Sequence, residues 1–136
     1  MRAIVGLISL TVEDWYEAVD FYHELLGLPL LESDEQTGRA RLQAAPGLLL
    51  ELLSGGWGSE TPKTPRENPV ALCLRVPALA RTLQELEYRG VWLLGEPSNG
   101  LAPVADPEGN RVYLYDAPTP PSPADGWSLA EVQSED

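Results

Sequence analysis

Glu51 stands in the alternating run Gly47-Leu-Leu-Leu-Glu-Leu-Leu53, where alternation gives it the same strand face as Leu49 and Leu53. A carboxylate on such a face must find a hydrogen-bond or charge partner, or take up a proton. Arg75, Arg111 and Tyr113, or Arg39 and Arg41 of the preceding run, are the partners on offer. Three roles follow: half of a structural ion pair, a polar anchor for a bound molecule, or a general base. No other residue pattern in the chain suggests catalysis. His23, the sole histidine, lies in a helical pattern beside Phe21-Tyr22 and reads as a solvated or helix-packing residue. Cys73 is the only cysteine, with no base near it in sequence, so it reads as an inert buried thiol and excludes an intrachain disulfide. Gly55-Gly-Trp-Gly58 does not lie between a strand and a helix, as a phosphate loop would. Ser9 and Thr11 lack a histidine to activate them, and neither Gly-x-Ser-x-Gly nor Cys-x-x-Cys occurs.

The elements that would carry these residues are legible from periodicity. Residues 3–12 alternate as a strand, with Ile8, Leu10 and Val12 on one face and Leu7, Ser9 and Thr11 on the other. Asp14 then sits at an N-cap position with Glu17 three residues on, and Trp15, Ala18, Val19, Tyr22, Leu25 and Leu26 recur on one helical face up to Gly27. Strands are expected over 28–33, 38–43 and 48–53, with a hairpin loop at Asp34-Glu-Gln-Thr-Gly38 and a turn at Pro46-Gly47. Residues 55–69, rich in Gly and Pro, read as a linker in which Trp57 is a local packing anchor. The pattern then restarts: strand 70–76, helix 79–89 carrying Leu79, Leu83 and Leu86, a stop at Gly90, and strands 91–94, 101–105 and 111–115.

Set side by side, the halves repeat. Ile8–Val12 falls on Leu72–Val76, Gly27 on Gly90, and Gly47–Leu53 on Gly109–Tyr115, at a nearly constant offset. A single internal repeat of this length indicates a duplicated module and not a solenoid. Residues 1–116 thus form one domain of two β-α-β-β-β modules, 1–54 and 70–116, followed by a proline-rich tail, 117–136, in which Trp127, Leu129 or Val132 would face inward.

Val12-Glu-Asp14, Phe21-Tyr22, Leu26-Gly27 and Asp106-Pro-Glu-Gly-Asn110 occur in the order and spacing of a known family. In these motifs the chain resembles the vicinal-oxygen-chelate superfamily of glyoxalase I, bleomycin-resistance proteins and extradiol dioxygenases. The resemblance implies an α+β fold: paired curved mixed sheets around a cleft, with helices outside. Under it, Leu7, Ser9, Leu49, Glu51, Leu53, Ala71, Cys73, Arg75, Arg111, Tyr113 and Tyr115 would line the cleft. Metal-dependent members place one ligand on each of four strands, and those positions fall on Leu7, Glu51, Ala71 and Tyr113. Only Glu51 is a standard donor, so no metal and no other cofactor is expected.

The chain of 136 residues carries 9 Lys and Arg against 21 Asp and Glu, a net charge of −12. That field disfavours nucleic acid and anionic membrane surfaces as partners. No run is long and apolar enough to span a bilayer and no leader precedes the first strand, so a cytoplasmic location is expected. The function expected is metal-free binding of a hydrophobic or aromatic small molecule, in a homodimer. The alternatives are a glyoxalase- or dioxygenase-like enzyme with a site built around Glu51, a metal-free isomerase using Glu51 as base, and a structural or interaction module with a filled cleft.

Overall fold

The computed structural model describes residues 1–123, so the tail positions Trp127, Leu129 and Val132 lie outside the described residues. The architecture is α+β, with one sheet of four strands and one of three, each mixing parallel and antiparallel pairs. The chain divides into two compact units, Met1–Gly58 and the residues from Ser59 onward.

In the first unit, β1 (Leu7–Val12) leads into α1 (Trp15–Val19), and β2 (Leu30–Asp34), β3 (Arg39–Ala45) and β4 (Leu48–Ser54) follow. The sheet order is β1-β4-β3-β2, with β1 and β4 parallel. Asp14 caps α1, its side chain accepting from the Glu17 N–H at 3.1 Å. The helix is not one regular amphipathic segment, as its periodicity implies. After Val19 it widens into a π-helical stretch, Asp20–Leu25, in which the Leu26 N–H reaches the Phe21 carbonyl. The wider turn gives consecutive residues a place on the buried face. Phe21 joins Tyr22 there, the rings 4.9 Å apart edge to face. Trp15, on the same side, donates Nε1–H to the Leu52 carbonyl of β4. Together with Val12, Ala18, Leu42, Leu50 and Leu52, these side chains form the unit's core.

In the second unit, β5 (Leu72–Arg75) leads into α2 (Leu79–Tyr88), then β6 (Ala102–Ala105) and β7 (Arg111–Tyr115), in the order β5-β7-β6. The N-cap of α2 is Ala78, which has no side-chain acceptor, and Asp116 serves instead by taking the Leu79 N–H at 2.9 Å. The strand expected at 91–94 does not form. It is reduced to a single bridge, Leu93 to Val104, flanked by bonds from the Leu94 N–H to the Pro103 carbonyl and from the Ala105 N–H to the Trp92 carbonyl. Pro103 faces Leu94 with no N–H of its own, so the return bond that would extend the ladder is missing.

The duplication extends to register. Ser9 pairs with Glu51 across β1 and β4, while Cys73 pairs with Tyr113 across β5 and β7, the positions the internal alignment equates. The glycines correspond as well: Gly27 and Gly90 have φ of 78° and 84°, and Gly47 and Gly109 have φ of 77° and 82°.

The expected linker is partly structured. Residues 59–63 lie along the Asp106–Asn110 loop, with the Ser59 N–H on the Glu108 carbonyl and the Lys63 N–H on the Gly109 carbonyl. The loop itself is wound around Asp106, whose Oδ1 accepts the N–H groups of Glu108 and Asn110, both at 2.8 Å. Trp57 does not anchor this segment: it is 91% exposed.

Candidate functional site

The first unit's sheet has one face covered by α1 and another that α1 does not cover. Alternation along β1 makes the difference plain: Leu7, Ser9 and Thr11 are exposed, whereas Val12 is fully buried and Ile8 and Leu10 are partly so. Register places Leu7 beside Leu49, Ser9 beside Glu51, and Thr11 beside Leu53, so all six share the uncovered face. On β3, Arg41 lies opposite Glu51 and Arg39 opposite Leu53. A polar row, Ser9–Glu51–Arg41, therefore crosses three strands between the row Leu7–Leu49–Gln43 and the row Thr11–Leu53–Arg39.

Glu51 is 6% exposed. Its Oε2 accepts from Arg41 Nε at 2.8 Å and its Oε1 from the Ser9 hydroxyl at 3.3 Å. Of the partners open to it in sequence, Arg41 is the one it takes, because antiparallel pairing sets that residue directly across the ladder. Arg39 pairs with Glu32 of β2 instead. Its Nε is buried with no hydrogen-bond partner among the described residues.

The corresponding face of the second unit is built differently. Tyr113 and Tyr115 are 5% and 9% exposed and pack in one cluster with Leu101, against which Ala71, Cys73 and Ala117 rest. The Tyr113 hydroxyl accepts Arg111 Nε–H at 2.9 Å, and the Arg111 guanidinium lies 5.6 Å from the centre of the Tyr113 ring. Arg75 is exposed. Burial pushes the Cys73 thiol above its ordinary pKa, which keeps it protonated near neutrality. His23, on the π-helical stretch, is engaged locally through Nδ1 and the Leu28 carbonyl at 2.8 Å.

A family metal does not fit these residues. Leu7 and Ala71 have no donor atom, Tyr113 already takes an N–H from Arg111, and both oxygens of Glu51 are engaged. Among the described residues no three His, Cys, Asp or Glu side chains are grouped so as to hold an ion. No helix among the described residues is long and apolar enough to cross a membrane.

The Glyoxalase model, described as the Glyoxalase/Bleomycin resistance protein/Dioxygenase superfamily, matches residues 4–114. No curated protein matches the chain in sequence. Among similar solved structures, TnmS3, an antibiotic binding protein from Streptomyces sp. CB03234, is 26% identical, with 85% of this chain and 96% of that one covered and a TM-score of 0.58. The trypanothione-dependent glyoxalase I of Leishmania major is 20% identical, covering 85% of this chain and 87% of its own, with a TM-score of 0.66. An integron cassette protein of V. cholerae is 23% identical, covering 85% and 96%, with a TM-score of 0.62. The likeness to the last two is one of fold.

Proposed function

The chain belongs to the Glyoxalase/Bleomycin resistance protein/Dioxygenase superfamily, and from that membership we propose that it binds a hydrophobic or aromatic small molecule without a metal ion. One observation carries the reading: the single standard donor among the four metal-ligand positions, Glu51, is committed to Arg41 and Ser9. A metal would have to displace a hydrogen-bonded cation from a residue that is 6% exposed and would gain no second donor from Leu7 beside it. The same commitment weakens the case for Glu51 as a general base, since each oxygen already accepts a hydrogen bond and the residue is 6% exposed. Leu7, Leu49 and Leu53 around it offer apolar contact to a flat ligand. TnmS3, at 26% identity, is an antibiotic binding protein, which favours binding over turnover as the class of function.

The second unit's face favours a self-filled module when taken alone, because Tyr113 and Tyr115 are buried in their own cluster. The ligand surface we assign is therefore the uncovered face of the first unit's sheet. A homodimer is part of the proposal and is checked by light scattering.

The decisive experiment has two arms. Elemental mass spectrometry on protein purified without chelator or affinity nickel is expected to find divalent metal at background. A thermal-shift screen of aromatic and hydrophobic compounds is expected to find stabilising ligands whose effect is lost in Leu49→Glu. Near-stoichiometric metal that disappears in Glu51→Ala would refute the reading.

A further inference from the structure

We propose that the ligand carries a carboxylate or equivalent planar acceptor pair, read by the terminal nitrogens of Arg41. The inference rests on the binding function assigned above and concerns what the polar row adds to the leucines around it.

A guanidinium has five N–H groups in a fixed fork and no acceptor. Arg41 directs Nε at Glu51, and its two terminal nitrogens are neither buried nor bonded to any described residue. Glu51, the carboxylate in that row, is buried beneath its neighbours, with an N–H and a hydroxyl already on its oxygens. On β2, Glu32 is occupied by Arg39, whose own Nε has no partner among the described residues. The row is balanced in formal charge, and its unspent N–H groups are those on the terminal nitrogens of Arg41.

Leucines flank it: Leu7 and Leu49 on one side, in a row that Gln43 completes, and Leu53 on the other, between Thr11 and Arg39. A molecule lying on this face thus meets hydrocarbon at its body and unspent N–H groups at one point. An acceptor placed there gains charge-assisted, two-pronged hydrogen bonds, which are about twice as strong as neutral ones. An ammonium placed there would meet the like charge of the guanidinium. The net charge of −12 does not overrule this, because charges beyond roughly 8 Å are largely screened at physiological salt. Glu51 then has a role in positioning: it fixes Nε so that the terminal nitrogens point in one direction.

The test uses 2-naphthoate and its uncharged analogue 2-naphthalenemethanol as probes, titrated into 15N-labelled full-length protein. Naphthoate is expected to bind at least tenfold more tightly than the alcohol and to shift the amides of Ser9, Arg41 and Leu49, with affinity falling as salt is raised. Arg41→Lys keeps a cation beside Glu51 but removes the fork, and it is expected to erase the preference for naphthoate while leaving alcohol binding in place. Should that variant fold poorly, the salt dependence of the two probes on the wild-type chain decides the matter by itself. Equal binding of both probes, unaffected by salt, would overturn the acceptor site and leave the apolar binding function standing. Binding of neither probe to this face would overturn both.

Discussion

Arg41 Nε stands 2.8 Å from Glu51 Oε2, directly across the β3–β4 ladder, a half-buried cation holding a buried carboxylate. The unequal burial dictates what substitution does. Arg41→Met strands a buried carboxylate and should cost about 2–3 kcal/mol, below the penalty for a wholly buried pair because water still reaches the arginine side. Replacing both partners, Arg41→Met with Glu51→Leu, should bring stability back to within about 1 kcal/mol of the wild type. Urea denaturation of the three chains measures this. A double variant no more stable than the single one would mean that the pair does not act as a unit.

Glycines in equivalent places of the two modules should respond unequally. Gly47 and Gly109 share a left-handed backbone, but a Cβ on Gly47 meets nothing within 4 Å, whereas one on Gly109 falls 2.7 Å from the Thr61 carbonyl oxygen. Gly47→Ala should therefore cost only the backbone term of about 1–2 kcal/mol, and Gly109→Ala clearly more, because the segment carrying Ser59 and Thr61 must move away. Gly56→Ala tests space without a backbone term, since its Cβ would lie 2.5 Å from the Thr11 carbonyl oxygen. Equilibrium unfolding ranks the three.

Glu67 closes a capping box on the short 3-10 turn Pro65–Glu67, and hydrogen bonds from the backbone and then the hydroxyl of Thr64 hold its carboxyl below the ordinary value. A folded-state pKa below the unfolded one means that the contribution is present above the ordinary carboxylate range and lost as pH falls through the lowered value. An NMR titration should show this depression. Thr64→Ala should move the value only part of the way back, because the backbone N–H, the larger cause, survives.

Cys73 should react slowly. Burial raises its pKa, so the thiolate is scarce in the folded chain, and disulfide reagents at pH 8 should modify it at least about tenfold more slowly than free cysteine. The rate should recover in denaturant. Because the unfolded thiol ionises first, this group lowers stability once the pH passes the ordinary thiol range and has no effect below it. Fast modification of the folded protein would show that the thiol is open.

Much of the fold can be read from local signals. Asp14, the positive-φ glycines and the alternation of β1 and β4 each depend on a few adjacent residues, and the module repeat appears because those signals recur at one offset. What escapes depends on residues far apart. Phe21 lies off the expected apolar stripe, and only the packing that buries it with Tyr22 explains the widened helix. The apolar run at 91–94 reads as a strand until Pro103 is placed opposite it. For the site, Glu51 and its leucine neighbours follow from alternation, but the choice of Arg41 over Arg39, Arg75 or Arg111 needs the β3–β4 register. Trp57 shows the reverse error: its type suggests packing, and its position in a glycine-rich stretch leaves it 91% exposed.

Pro103 also decides how the second sheet ends. Its carbonyl, and the nitrogen that would carry an N–H in any other residue, face outward from β6 toward Leu94. A visiting strand would find that carbonyl already taken by the Leu94 N–H and no donor beside it, so it could not zip along that margin. The residue that shortens the module by a strand thereby stops the sheet from growing, and it guards crowded, newly made chains against joining edge to edge.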